Sequence, residues 1–146
     1  MRRKVVLDAS AVAKWYFREE ESEEMRILRA KIVSGELEVH VPDLVFVELA
    51  NVLRYARGAS IADVVNGVKA AIALGMITHR FEQLLEKAAE IAFAKDLTIY
   101  DAVYSALAEL EDAPLVTYDR ELLAKVEKAQ RAGDFLRSLS KDLAST

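Results

Sequence analysis

A chain of 146 residues, 53% of them hydrophobic, is long enough for one well-buried domain and short for two. It holds no cysteine, which excludes disulfides, thiolate metal sites and cysteine nucleophiles and leaves His40 and His79 as the imidazoles, so a zinc cluster is not expected. A formal net charge of −4 excludes nucleic-acid binding through bulk positive charge; any such contact must be local.

The N-terminus shows no charged leader followed by a long apolar stretch, and no run approaches a membrane span, so the expectation is a soluble, cytoplasmic protein. The first element is the apolar run Val5-Val6-Leu7, which stops at Asp8 and the small residues Ala9 and Ser10. This is the pattern of a buried strand that delivers a carboxylate to its C-terminal end, although Asp8 or Ser10 also suits the cap of the next helix. A helix over 9–17 carries Val12, Trp15 and Tyr16, and Ser22-Glu23-Glu24 opens a second one through Met25, Leu28 and Ile32, ended by Gly35.

The alternating stretch Leu37-Glu38-Val39-His40-Val41, closed by Pro42, predicts a second strand leading into a helix over 43–57. Within that helix Glu48 interrupts an apolar run, with Leu44 four residues before it and Val52 four after. An unpaired buried carboxylate is costly, so Glu48 must meet a cation, a raised pKa or a polar opening. Ser60 caps a helix over 61–74, residues 76–80 suggest a short edge strand with His79 as a surface turn residue, and 81–95 is a strongly periodic helix.

Thr98-Ile99-Tyr100-Asp101 has the spacing of a capping box with Asp in place of Glu or Gln, opening a helix over 102–110. Pro114-Leu115-Val116-Thr117 is a further buried strand, Tyr118-Asp119 repeats the arrangement at Asp8, and a final helix is expected over 120–131. Strands alternating with helices predict one α/β domain, with a mostly parallel sheet of four to five strands and helices on both faces. That domain is expected over 1–138, with a loose tail over 139–146.

Asp8 and Asp119 thus end two strands, Asp101 lies in a first helical turn, and Glu48 breaks an apolar helix; all four can converge at one end of a parallel sheet. Crowded carboxylates repel, and a hard divalent cation such as Mg²⁺ or Mn²⁺ is the chemical reason to tolerate them. The matching chemistry is phosphoryl transfer. Lys14, Arg18, Arg54, Arg57 and Arg120 lie near these acids in sequence and suggest a basic rim.

Val5-Val6-Leu7-Asp8-Ala9-Ser10, Val41-Pro42 followed by Glu48, Tyr100-Asp101-Ala102-Val103-Tyr104-Ser105-Ala106-Leu107-Ala108, and Leu115-Val116-Thr117-Tyr118-Asp119 together resemble the PIN-domain ribonucleases, in particular the VapC-type toxins. The resemblance covers nearly the whole chain. It implies a metal-dependent endoribonuclease whose catalytic and metal-binding acids are Asp8, Glu48, Asp101 and Asp119, with Mg²⁺ or Mn²⁺ as cofactor. It implies that Ser10 and Thr117 lie beside the pocket, orienting carboxylates, water or phosphate. It also implies a homodimer, an RNA substrate and a small antitoxin partner. One departure is Leu122-Leu123, where the family often carries an aromatic residue a turn after Asp119.

Three other folds or functions place acids in a similar way. A receiver-like domain wants a pair of adjacent acids early and a lysine after its last strand, and neither is present. A phosphatase with an aspartyl nucleophile wants a second acid where Ser10 stands. A catalytically silent PIN-fold module that binds RNA or protein remains the alternative, and the presence of all four acids argues against it.

Overall fold

Val5, Val6 and Leu7 are fully buried because β1 (Arg3–Leu7) is the central strand of a five-stranded sheet. The computed structural model describes residues 2–144. The other strands are β2 (Leu37–Pro42), β3 (Ile77–His79), β4 (Leu115–Val116) and β5 (Ala129–Gln130), in the order β3-β2-β1-β4-β5. Every pairing is parallel, so the sheet is wholly rather than mostly parallel. The chain winds from β1 to β2 and β3 on one side and later returns to β4 and β5 on the other. The crevice beyond the carboxyl ends of β1 and β4 is therefore the switch point, where open α/β sheets place their ligands.

In chain order the helices are α1 (Ala9–Val12), α2 (Ser22–Val33), α3 (Leu44–Arg54), α4 (Ile61–Ala73), α5 (Phe81–Lys95), α6 (Ile99–Glu111), α7 (Arg120–Lys125) and α8 (Ala132–Ala144). α5 packs on α6, and α6 lies against β1 and β2; α8 packs on α2, which lies against β2. The two pairs cover the two faces of the sheet. Phe135 of α8, Met25 and Leu28 of α2, Leu84 of α5, Leu107 of α6 and Leu49 of α3 are among the fully buried side chains. Each contributes about 1.5–3 kcal/mol of burial relative to an exposed position.

Several local signals act as the sequence suggests. Gly35 takes φ +82, which an L side chain adopts only with strain, and turns the chain out of α2 into β2. Ser60 and Asp63 form a reciprocal capping box at α4, Ser60 Oγ accepting from Asp63 N at 3.1 Å and Asp63 Oδ2 accepting from Ser60 N at 2.9 Å. At α6 Thr98 Oγ1 accepts from Asp101 N at 3.1 Å.

Other expectations require correction. The helix over 9–17 is one turn of α-helix that tightens into a 3₁₀ turn, Ala13–Trp15, while Trp15 Nε1 donates to Met25 O at 2.7 Å and ties this turn to α2. The helix over 120–131 is broken: α7 stops before Val126, which is extended at φ −112 and ψ 118 and turns into the core. β5 follows, and its pairing satisfies the outer edge of β4, with Leu115 N and Thr117 N donating to Lys128 O and Gln130 O at 3.1 and 3.0 Å. Ala129-Gln130 carries no strand signal of its own; the open edge of β4 recruits it.

Residues 139–144 are not a loose tail, because α8 continues to Ala144, Leu139 is buried and Arg3 pairs with Asp142. Ser145 and Thr146 lie outside the described residues. Finally, His79 is not a simple surface turn residue. It ends β3 with its Nε2 2.8 Å from Nδ1 of the buried His40.

Candidate active site

Asp8 is 4% exposed and follows directly on the central strand. Its Oδ1 caps α1 by accepting from Ala11 N at 3.0 Å, so the capping role is real, yet two hydroxyls also converge on it. Ser10 Oγ donates to Oδ1 at 2.6 Å and Thr117 Oγ1 donates to Oδ2 at 2.5 Å. Each hydroxyl is in turn fixed by a backbone donor, Ser10 Oγ accepting from Tyr118 N at 2.9 Å and Thr117 Oγ1 from Asp119 N at 3.0 Å. Two chains of hydrogen bonds thus run from the end of β4 onto one carboxylate. Ser10 lines the adjoining cavity, whereas Thr117 is fully buried, so the partner of Thr117 is a carboxylate and not water or phosphate.

Glu48 comes from α3, and the Tyr104 hydroxyl donates to its Oε1 at 2.5 Å. Asp101 lies in the first turn of α6, its backbone held by Thr98 and its carboxyl turned to the cavity. Asp119 caps α7, Oδ1 accepting from Glu121 N at 3.2 Å. The four acids line a single cavity of about 620 Å³, together with Ser10, Asn51, Tyr100 and Tyr104.

Electrostatics records their proximity. Burial pushes the Asp8 carboxyl up to about 6 against the pull of its three donors, and the Asp119 charge adds to the rise. Asp101 also rises to about 6, through burial and then the charges of Asp119 and Glu48. Glu48 is raised by burial, offset in part by Tyr104 and reinforced by Asp119. The Tyr104 phenol is held far above its ordinary value by burial and by Glu48, so it stays a proton donor. Among the described residues no lysine or arginine lines the cavity. An all-oxygen donor set with no compensating cation fits a hard divalent ion.

The suggested basic rim is narrower than sequence proximity implies. Lys14 is buried, lies 4.4 Å over the Tyr118 ring, pairs with Glu19 and does not line the cavity. Arg54 stacks on Tyr55 at 5.1 Å. Sequence reasoning missed Tyr104 and Asn51, although each stands three residues after a predicted acid, Asp101 and Glu48, and so shares its helical face. At the expected aromatic position Leu122 is fully buried and packs into the core.

The family model described as "PIN domain" matches residues 5–129. The chain belongs to the PIN-domain family. Ribonuclease VapC3 of Pyrobaculum aerophilum is 35% identical to this PIN domain over 127 residues, covering 84% of this chain and 94% of the relative. Among solved structures, PAE2754 from Pyrobaculum aerophilum superposes with a TM-score of 0.69 at 26% identity, covering 95% of this chain and 90% of that one. VapBC2 from Rickettsia felis, bound to a DNA fragment from their promoter, gives a TM-score of 0.63 at 12% identity over 88% of this chain and 98% of its own, which is likeness of fold.

Proposed function

We propose that this PIN domain is a VapC-type endoribonuclease that hydrolyses RNA phosphodiester bonds with the help of Mg²⁺ or Mn²⁺. The observation that carries the reading is the meeting of Asp8, Glu48, Asp101 and Asp119 in one cavity at the carboxyl end of the sheet. The 35% identity to Ribonuclease VapC3 across nearly its whole length supports the choice of substrate. These four carboxylates would hold the ion. When bound, such an ion neutralises the phosphate and acidifies a water molecule for attack on phosphorus.

The protein's own contribution is placement. Ser10 and Thr117 fix both oxygens of Asp8, and Tyr104 fixes one oxygen of Glu48, so two of the acids are set before substrate arrives. Without an ion, Asp101 is raised to about 6 and Glu48 is raised as well, so both take up a proton readily, and a bound ion would hold them ionised as ligands. Tyr100, 62% exposed at the cavity edge, offers a face on which an unpaired base can stack. Of the suggested rim, Arg57 and Arg120 would supply phosphate contacts around this acidic centre.

The partners follow from the surface. An apolar groove of about 580 Å³, lined by Leu44, Val47, Phe81, Ile99, Tyr100 and Val103, adjoins the acids and suits an apolar segment of a small antitoxin. A homodimer would cover the exposed Ile61, Val65 and Ile72 of α4. No described helix is long and apolar enough to cross a membrane.

The test is cleavage of single-stranded RNA by the purified protein with Mg²⁺, with Mn²⁺ and with EDTA. Cleavage that needs the ion and falls by orders of magnitude in Asp8→Asn or Asp101→Asn supports the reading. Cleavage that persists in chelator removes the metal. A folded, metal-loaded protein that binds but never cuts RNA is the silent module.

A further inference from the structure

The two histidines of the chain, 39 residues apart in sequence, meet on the sheet away from the acidic cavity. The register pairs His40 with Ile77 and Pro42 with His79, so both imidazoles project from the same face of neighbouring strands. His40 is 5% exposed; its Nδ1 lies 2.8 Å from His79 Nε2, and its Nε2 lies 2.8 Å from Glu38 Oε2 and 3.5 Å from Glu111 Oε1. One ligand atom from each of His40, His79 and Glu111 falls within 4.8 Å of the others. Glu111 closes α6, ten residues beyond Asp101 and so about 15 Å along the helix from the acids.

We propose that His40, His79 and Glu111 form a second metal site, selective for a borderline transition-metal ion such as Zn²⁺ over Mg²⁺. Imidazole nitrogen suits zinc, copper and nickel, whereas the harder ions prefer the all-oxygen cavity. Glu38 gives this cluster the mark of a built site. It sits two residues before His40 on the same face, accepts the Nε2 hydrogen, and thereby leaves the His40 Nδ1 lone pair directed at His79. A ligating histidine whose other nitrogen is held by a carboxylate is the usual arrangement around zinc.

Binding needs His79 and Glu111 to move. Two nitrogens at about 2.0–2.1 Å from a tetrahedral ion stand about 3.3 Å apart, so the imidazoles must spread by about half an ångström. His79 can supply that movement, because it ends a three-residue edge strand and is partly exposed. Its proton moves from Nε2 to Nδ1, which frees Nε2 as a ligand without net proton release. Glu111, whose Oε1 lies 3.5 Å from His40 Nε2 and 3.3 Å from Lys4 Nζ, must leave both contacts and swing toward the Nδ1 edge of the ring to reach the ion. The fourth position is left to water or solvent-derived ligand. The ion would clip β3 to β2 and α6, so its effect is on the stability of this sheet edge.

The experiment is a Zn²⁺ titration of the full chain in excess Mg²⁺, read by nitrogen NMR of the imidazoles and by thermal melting. One equivalent should shift His40 Nδ1 and His79 Nε2 and raise the Tm. His79→Ala should lower Zn²⁺ affinity more than about ten-fold and abolish the Tm rise, while Asp101→Asn keeps both. Imidazole signals unmoved by Zn²⁺, or an affinity equal in wild type and His79→Ala, would overturn the site. Should His79→Ala fold poorly by circular dichroism, the wild-type NMR titration decides the matter alone.

Discussion

Tyr104 and Glu48, 56 residues apart, share a 2.5 Å hydrogen bond that joins α6 to α3 across the floor of the acidic cavity. The phenol is held as a donor by burial and by the carboxylate it serves, so the bond favours the ionised form of Glu48 against its own desolvation. Tyr104→Phe keeps the ring and removes the hydrogen. A hydrogen bond to a charged group is worth about 1.5–3 kcal/mol. The expected outcome is a loss of about ten-fold or more in kcat at neutral pH, an unchanged fold by circular dichroism, and a pH–rate profile whose acid limb moves to higher pH. A profile that does not move would show that Tyr104 merely fills space.

Thr117 and Ser10 make a similar prediction with a different readout. Thr117 is fully buried and its hydroxyl bridges Asp119 N to Asp8 Oδ2. Thr117→Val preserves shape but leaves a backbone donor and a buried carboxylate short of a partner, at a cost of about 1–3 kcal/mol. Thr117→Ser retains the hydroxyl and should recover most of the stability and the cleavage rate. Equal denaturant midpoints for the Val and Ser variants would remove Thr117 from the support of Asp8.

On the reading that the apolar groove seats an antitoxin, Phe81 and Ile99 separate that binding from catalysis, because they line the groove but not the acidic cavity. Phe81→Ala should weaken binding of the cognate antitoxin by about ten-fold in calorimetry, as loss of a partly exposed aromatic anchor does. RNA cleavage by the free enzyme should stay the same. Antitoxin affinity unaffected by Phe81→Ala and Ile99→Ala would place the partner elsewhere.

The residues of the site differ in how plainly the sequence announces them. Asp8 was legible because three apolar residues precede it, and Glu48 because it breaks an apolar run; both signals are local. Their convergence was legible only through the order of strands and helices. That Ser10 and Thr117 stand beside the acids was legible only through the family resemblance, and the backbone donors that fix their hydroxyls were not legible, since they depend on how the ends of β1 and β4 lie side by side. β5 was invisible for the same reason: Ala129-Gln130 becomes a strand because β4 has a free edge, while the helical period from Leu122 to Val126 pointed to a continuing helix. The His40–His79 contact likewise follows from the register of β2 and β3, which no spacing in the sequence announces.

The final prediction concerns Asp8 and Asp101, which share a carboxyl raised to about 6 but not its surroundings. Each folded-state value lies above the ordinary 3.8, so between about pH 4 and 6 the folded protein binds protons that the unfolded chain releases. Stability from these groups is therefore present below that window and is lost as pH rises through 6. The metal-free protein should melt at a higher temperature at pH 5 than at pH 7, and Mn²⁺ should reverse the loss at pH 7 by binding the folded state. Asp101 has one side-chain hydrogen bond, with Thr98, and burial followed by the charges of Asp119 and Glu48 outweighs it. Asp101→Asn should then raise the Tm of the metal-free protein at pH 7, raise it by less at pH 5, and abolish most of the Mn²⁺ response. Asp8 differs, because Ala11 N, Ser10 Oγ and Thr117 Oγ1 all point hydrogens at its two oxygens. An amide there turns a donor against a donor, so Asp8→Asn should lower the Tm even without metal. Melts of wild type and both variants at pH 5 and 7, with and without Mn²⁺, test the scheme. A wild type that gains stability from pH 5 to 7 in EDTA, or an Asp101→Asn variant that keeps the full Mn²⁺ gain, would refute a shared carboxylate pocket.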